Sequence, residues 1–306
     1  TSIGIALCPE QGSDPSELMK KADIALYTAK AQGRNDFRIF DAEMMKVSES
    51  QKLLEIQLRH AIEREQFELY YQPILDAKTG KVSGAEALIR WHHPERGLLP
   101  PDQFIPLAEE TGLIVPLSEW VLQQGCRDAA AWSDNLKIAI NLSAHHFKRS
   151  NLFDVVLCTL VESGLSPARL ELEITESALL DQRSDHLPTL RQLRNIGVSI
   201  VLDDFGTGYS SARYLTLYPF DKIKIDRSFV QGMATQRECS AIVASTLALA
   251  RGLGIAVTAE GIETEDQLRE LCQAGVDFAQ GYLIGKPMAL AEFLGSNSAA
   301  AGRFVA

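Results

Sequence analysis

The sequence has no CxxC pair: its five cysteines, Cys8, Cys126, Cys158, Cys239 and Cys272, are scattered over 306 residues. That spacing argues against a zinc site and against a disulfide framework, and it favours reduced thiols in a cytosolic setting. Long apolar runs are also missing. The best candidate for a membrane span, Ile242 to Thr258, is broken by Arg251 and two glycines, which is too short an unbroken stretch to cross a bilayer. The N-terminus lacks a charged region followed by an apolar one, so no signal peptide is expected. It opens on Thr1 instead of Met, straight into a strand-like run, and the expectation is a piece of a longer chain. Positive charge is in deficit, with a formal net charge of -10. Such a surface disfavours non-specific binding to nucleic acid or to an anionic membrane, and an anionic substrate would need cations as intermediaries.

What is present reads as alternating strands and helices. SIGIALCPEQG is a strand and turn, Asp14-Pro15 opens a helix with proline at its first position, and Leu18, Ala22, Ala25, Leu26 and Ala29 recur at helical spacing. FRIF closes a segment of about forty residues with too few strands for a core of its own. The next helix, SESQKLLEIQLRHAIEREQ, is either a linker between domains or the first element of the second one. Eight apolar, strand-length runs then appear: FELYYQPI, KVSGAEALIR, KIAINLS, RLELEITE, VSIVLDD, KIKID, IAVTAEG and FAQGYLIG. Most are separated by helical stretches. Strands apolar on both faces and alternating with helices imply a mostly parallel sheet covered by helices, and eight of them suggest a closed (β/α)8, TIM-like barrel. DAKTGKV, between the first two, is a hairpin turn with no room for a crossover, so the first strand should run antiparallel to the second. The terminal GSNSAAAGRFVA reads as disordered. The domain expectation is therefore 1–43 as a fragment and linker, 44–290 as the barrel, and 291–306 as a disordered tail.

In such a barrel the carboxyl ends of the parallel strands share one mouth, where chemistry is found. The residues delivered there are Glu86, Asn141, Glu173, Asp203, Asp204, Lys224, Asp226, Glu260 and Gln280. Carboxylates from several strands repel one another unless hard cations lie among them, and oxygen donors without His or Cys favour Mg²⁺ or Mn²⁺ over zinc. Neighbouring residues of a regular strand face opposite sides. Asp203 and Asp204 can both reach the mouth only if the backbone turns between or just after them, as the GTG next to them permits. One of the two could then bridge a pair of ions ~3.5–4 Å apart, suited to phosphodiester displacement. A surface or capping role would serve any one of these acids taken alone; the convergence of several strands points to metal. His92 and His93 in HHPERG, and His145 and His146 after NLS, are expected at the surface, and Trp91, Trp120 and Trp132 in the core.

The chain resembles the EAL-domain family, bacterial phosphodiesterases acting on cyclic di-GMP. The resemblance rests on EALIRW (Glu86-Ala87-Leu88), supported by YYQPI, PDQFIPLAEETGLI, NLS, ELEITES, DDFGTGYSS, KIKIDRSFV, TAEGIET and QGYLIGKP in that order. SIGIA and ADIALYTAKAQGRN resemble the C-terminal end of a GGDEF, or diguanylate cyclase, domain whose signature is absent here. The resemblance implies a barrel with one antiparallel strand, two Mg²⁺ or Mn²⁺ ions, and hydrolysis of cyclic di-GMP to linear pGpG. By position in the motifs, Glu86, Asn141, Glu173 and Asp203 would hold one metal, and Asp203, Asp204 and Glu260 the other. Lys224 would position the water, Gln280 would orient a metal-bound water, and Asp226 and Glu263 would support the site. Gln72, Leu88 and Arg90 would contact the nucleotide. Glu176 would brace the loop of Phe205, Gly206, Thr207 and Gly208, which would serve as gate and as part of a homodimer contact. Upstream GGDEF or sensor domains are the implied partners in the full-length chain. Two rival readings stay open: a cyclic di-GMP receptor or regulatory module with little turnover, and a barrel of enolase-type lyase chemistry.

Overall fold

The computed structural model describes residues 1–31, 35–133, 136–147, 151–179, 186–206 and 212–299. The chain divides into two compact units: Thr1–Glu65 with Pro106–Thr111, and the remainder. In the first, β1 (Ile3–Ile5) and β2 (Phe37–Ile39) pair in parallel around helix α1 (Pro15–Ala31). Helix α2 (Ala42–Glu63) belongs to the same unit. It starts six residues before the expected SESQ because Asp41 caps it, accepting from the N–H groups of Glu43 and Met44. The first compact unit runs through this helix to Glu65.

The second unit is the barrel. Its strands are β3 (Phe67–Asp76), β4 (Val82–His93), β6 (Lys137–Asn141), β7 (Leu170–Thr175), β8 (Ser199–Phe205), β9 (Lys222–Ile225), β10 (Ala256–Ala259) and β11 (Phe278–Gln280), with β5 (Gly97–Leu99) and β12 (Met288–Ala289) as flanking additions. The hydrogen-bonded order β3-β11-β10-β9-β8-β7-β6-β4 closes through a β3–β4 pairing. As the hairpin turn required, β3 is antiparallel to both its neighbours and every other barrel pair is parallel. Asp76 builds that turn by accepting from Lys78 and Thr79 N–H at 3.0 and 2.8 Å. All eight expected strands are present. The last is shorter than the run FAQGYLIG, because backbone bonds from Ile284 and Gly285 back to Gly281 fold its second half into a turn.

Both faces of the strands are covered, so runs such as Leu170–Ile174 and Lys222–Ile225 are buried at every position. Three charges meet at the amino-end floor of the barrel. Glu171 of β7 accepts from Lys222 of β9 at 2.5 Å and from Lys137 of β6 at 2.9 Å, and the Lys222 ammonium rests 4.2 Å from the Phe278 ring centroid. Trp91 and Trp132 are core residues, as expected.

Three surface or tail expectations are corrected. His93 and His146 are buried: His93 Nδ1 accepts from Glu95 and Arg96 N–H, so its ring organises the HHPERG turn from beneath. The segment after residue 290 is not disordered as far as it is described. Leu290–Ala299 is a helix whose Phe293, 1% exposed, packs its ring 5.9 Å from Tyr71 and 5.0 Å from Trp132. One aromatic anchor outweighed the small, polar composition around it.

Candidate active site

Strand register decides which side chains meet at the carboxyl ends. Glu86 of β4 pairs with Gln72 of β3, Asn141 of β6 with Glu173 of β7, and Thr258 of β10 with Lys224 of β9. On β8 the ladder to β9 slips: three steps from Leu202 to Phe205 oppose two from Ile223 to Ile225. The extra residue is a bulge, and within it Asp204 adopts φ 56, a left-handed conformation that Asp tolerates better than most side chains. The backbone therefore turns between Asp203 and Asp204, and both carboxylates reach the mouth. Carboxylate oxygens of Asp203, Asp204 and Glu260 all lie within 4.8 Å of one another.

Lys224 occupies the centre. It is 2% exposed, and its Nζ lies 2.6 Å from Glu260, 2.8 Å from Glu173, and 3.3 Å from both Glu86 and Asp203. Around this hub Asn141 donates to Glu86 at 2.7 Å, and Gln280 donates to Glu86 at 2.7 Å and to Gln72 at 3.1 Å. Gln72 in turn donates to the Gly285 carbonyl at 3.1 Å. Its amide is thus spent on orienting Gln280 and anchoring a loop, whereas the resemblance assigns it to the nucleotide.

Electrostatics shows an excess of negative charge. Burial alone would push Lys224 down, but Asp203, Glu173, Glu260 and Glu86 hold it well above its usual value. Burial and the charge of Glu86 push Glu173 well up, and burial aided by Asp203 and Glu86 lifts Glu260 to about 8 against the pull of Lys224. Asp204 is raised by burial, then by Asp203 and Asp226. Glu86 is lowered: burial opposes its ionisation, but Lys224 and the donors Gln280 and Asn141 prevail. Five carboxylates against one ammonium, offering oxygen atoms only, fit hard divalent cations. The buried Gln280 Oε1 is left without a protein donor, an acceptor that suits an ordered water.

The other expected residues stand further out. Leu88 and Arg90 continue along β4 on the Glu86 side, and the Arg90 guanidinium lies over the Tyr70 ring of β3 at 5.2 Å from its centroid. This stacked cation has no carboxylate partner among the described ion pairs. Tyr70 was missed by sequence reasoning, although the paired register of YYQPI and EALIRW contains the signal. Asp226 caps the helix Arg227–Gly232, accepting from Ser228 N–H at 3.0 Å and from its hydroxyl. Glu263 is exposed and accepts from Gln231 at 3.0 Å. Glu176 is buried at the start of the helix Glu176–Leu179. Phe205 ends β8 and Gly206 turns away from it with φ 101. Thr207 and Gly208, with the rest of the loop that Glu176 would brace, lie outside the described residues.

Comparison with known proteins agrees with this geometry. The family model described as EAL domain matches residues 55–287. The chain belongs to the EAL-domain family. A second model, diguanylate cyclase, GGDEF domain, matches residues 1–36. The EAL chain is 45% identical over 299 residues to MucR of Pseudomonas aeruginosa, named a bifunctional diguanylate cyclase/cyclic di-GMP phosphodiesterase; the match covers 96% of the chain and 44% of MucR. It is 42% identical over 300 residues to the cyclic di-GMP phosphodiesterase NbdA of the same species, covering 96% of the chain and 38% of NbdA. The chain thus spans less than half the length of these curated relatives. Among solved structures, the PaMucR phosphodiesterase in complex with c-di-GMP superimposes with a TM-score of 0.76 at 44% identity, over 79% of the EAL chain and all of that chain. The Bd1971 EAL enzyme bound to cAMP and cyclic-di-GMP gives 0.79 at 30% identity, over 94% and 77%.

Proposed function

We propose that this chain hydrolyses one phosphodiester bond of cyclic di-GMP, giving linear pGpG, with two Mg²⁺ or Mn²⁺ ions. The observation that carries the reading is the convergence of Glu86, Glu173, Asp203, Asp204 and Glu260 around Lys224. Glu86, Asn141, Glu173 and Asp203 would hold one ion, and Asp203, Asp204 and Glu260 the other. When bound, the ions would stabilise the attacking and leaving oxygens and ease deprotonation of a water. The protein's own part is positioning. Lys224, held among four carboxylates, keeps its proton and, once bound metal draws some of those carboxylates away, would turn an N–H toward the attacking water. Gln280, oriented by Gln72, accepts from that water through Oε1. Arg90, flattened on Tyr70, offers its planar fork to a phosphate.

Arg90 and Leu88 would line the nucleotide path, Asp226 and Glu263 would steady the rim, and the Glu176-braced loop would link the site to a homodimer contact. The free thiols suit a cytoplasmic setting, and among the described residues no helix is long and apolar enough to cross a membrane. In the full-length protein, GGDEF or sensor domains would adjoin the N-terminal fragment.

The test is incubation with cyclic di-GMP and Mg²⁺ or Mn²⁺, with products followed by chromatography beside Glu86→Ala. Linear pGpG from the parent, lost with chelator and in the variant, is the expected result. Tight binding without turnover would replace the enzyme by a receptor.

A further inference from the structure

On the proposed reading the acidic hub engages the phosphodiester, and the bases must be met by residues around it. The loop after β11 is one such neighbour. It leaves Gln280, which is bonded to Glu86, and returns to β3 where Ala289 pairs with Tyr70, so it borders the same side of the mouth as the Tyr70–Arg90 stack. Its backbone is tied at several points. Ile262 donates to the Gln280 carbonyl at 3.1 Å, Leu283 to that of Ile262 at 3.0 Å, and Ile284 and Gly285 to that of Gly281 at 3.1 and 3.0 Å. Gln72 holds the Gly285 carbonyl. A Cβ on Gly281 would meet the Ile262 backbone at 2.2 Å, so only glycine permits the approach.

This tied loop presents a large ring to solvent. Tyr282 is 59% exposed, and the Lys286 ammonium lies 5.4 Å from its ring centroid. A lysine over one face fixes the ring and leaves the other for a ligand. A single exposed tyrosine is ordinary on a protein surface. One mounted on a fixed backbone beside a phosphate-seeking arginine costs little entropy to use, as aromatic binding anchors do.

We propose that Tyr282, pinned by Lys286 on the Gly281–Pro287 loop, is a stacking platform for one purine of the substrate and so contributes to the binding of a base-bearing phosphodiester. The inference rests on the proposed cyclic di-GMP reading. Bases stack on aromatic side chains whatever their edges carry, so the contribution falls on binding and not on the chemical step.

The experiment compares the parent with Tyr282→Ala and Tyr282→Phe, on cyclic di-GMP and on bis(4-nitrophenyl) phosphate, which carries no purine. Tyr282→Ala should raise KM for cyclic di-GMP about 10-fold or more with kcat within about twofold, and its loss on bis(4-nitrophenyl) phosphate should be much smaller. Tyr282→Phe, which keeps the ring, should stay near the parent. An unchanged KM in Tyr282→Ala, or equal losses on both substrates, overturns the platform. Should the parent bind cyclic di-GMP without hydrolysing it, the enzyme reading fails by itself and the platform is read from Kd, with the same 10-fold weakening supporting it and an unchanged Kd overturning it. Absence of both binding and turnover overturns both.

Discussion

Lys224 is a buried cation compensated by the acids it touches, and among the described residues those acids have no other cation in ion-pair contact. Replacing it by methionine should be felt twice. Without added metal, Lys224→Met should lose about 3–5 kcal/mol of stability, because buried carboxylates are left facing one another; a urea melt measures this. Hydrolysis of cyclic di-GMP should fall roughly 10²–10³-fold, the scale of removing one fixed donor from a reacting centre, with the product rate as the readout. Mn²⁺ should raise the melting temperature of this variant more than that of the parent, since the metal replaces missing positive charge. Equal shifts would mean that the cluster does not hold cations.

At the end of β8, one conformational choice serves the site. Asp204 occupies the left-handed region, which costs a branched side chain about 1–2 kcal/mol more than it costs Asp or Asn. Asp204→Asn should therefore fold with nearly parental stability yet bind Mn²⁺ more weakly in calorimetry, whereas Asp204→Val should lose both stability and binding. The floor of the barrel offers a contrasting test. Glu171→Gln leaves Lys222 buried without its anion and should cost about 3–5 kcal/mol, while Glu171→Leu combined with Lys222→Met should recover much of that loss. Denaturation midpoints of the two variants decide whether the triad is held for stability or merely tolerated.

For the molecule as a whole, closure depends on more than the eight strands. The C-terminal helix covers Tyr71 and Trp132 through Phe293, so Phe293→Ala should cost about 3–5 kcal/mol, and a chain ending at residue 289 should melt well below the parent. Divalent metal should stabilise the folded barrel by mass action, as RT ln(1 + [L]/Kd). A melting temperature rising with Mg²⁺ concentration in the parent, and not in Glu86→Ala, is the expected outcome in thermal scans. These responses belong to the barrel, because its mouth gathers residues as distant in the chain as Gln72 and Gln280, which are 208 positions apart.

The order of strands, the antiparallel first strand and the acids of the mouth were all legible in the sequence. Each has a local cause: strands buried on both faces read as continuous apolar runs, DAKTGKV leaves no room for a crossover, and a barrel sends its strand ends to one place. Register and burial were not legible, because they arise from neighbours distant in sequence. The slip between β8 and β9 that turns Asp204 inward, the four carboxylates that immobilise Lys224, and the use of Gln72 to orient Gln280 exist only once the sheet has closed. His93 and His146 looked like loop histidines and were buried by the elements packed over them. The residues after 290 looked structureless because composition counts side chains equally. Only the folded barrel supplies the aromatic pocket in which one of them, Phe293, anchors a helix.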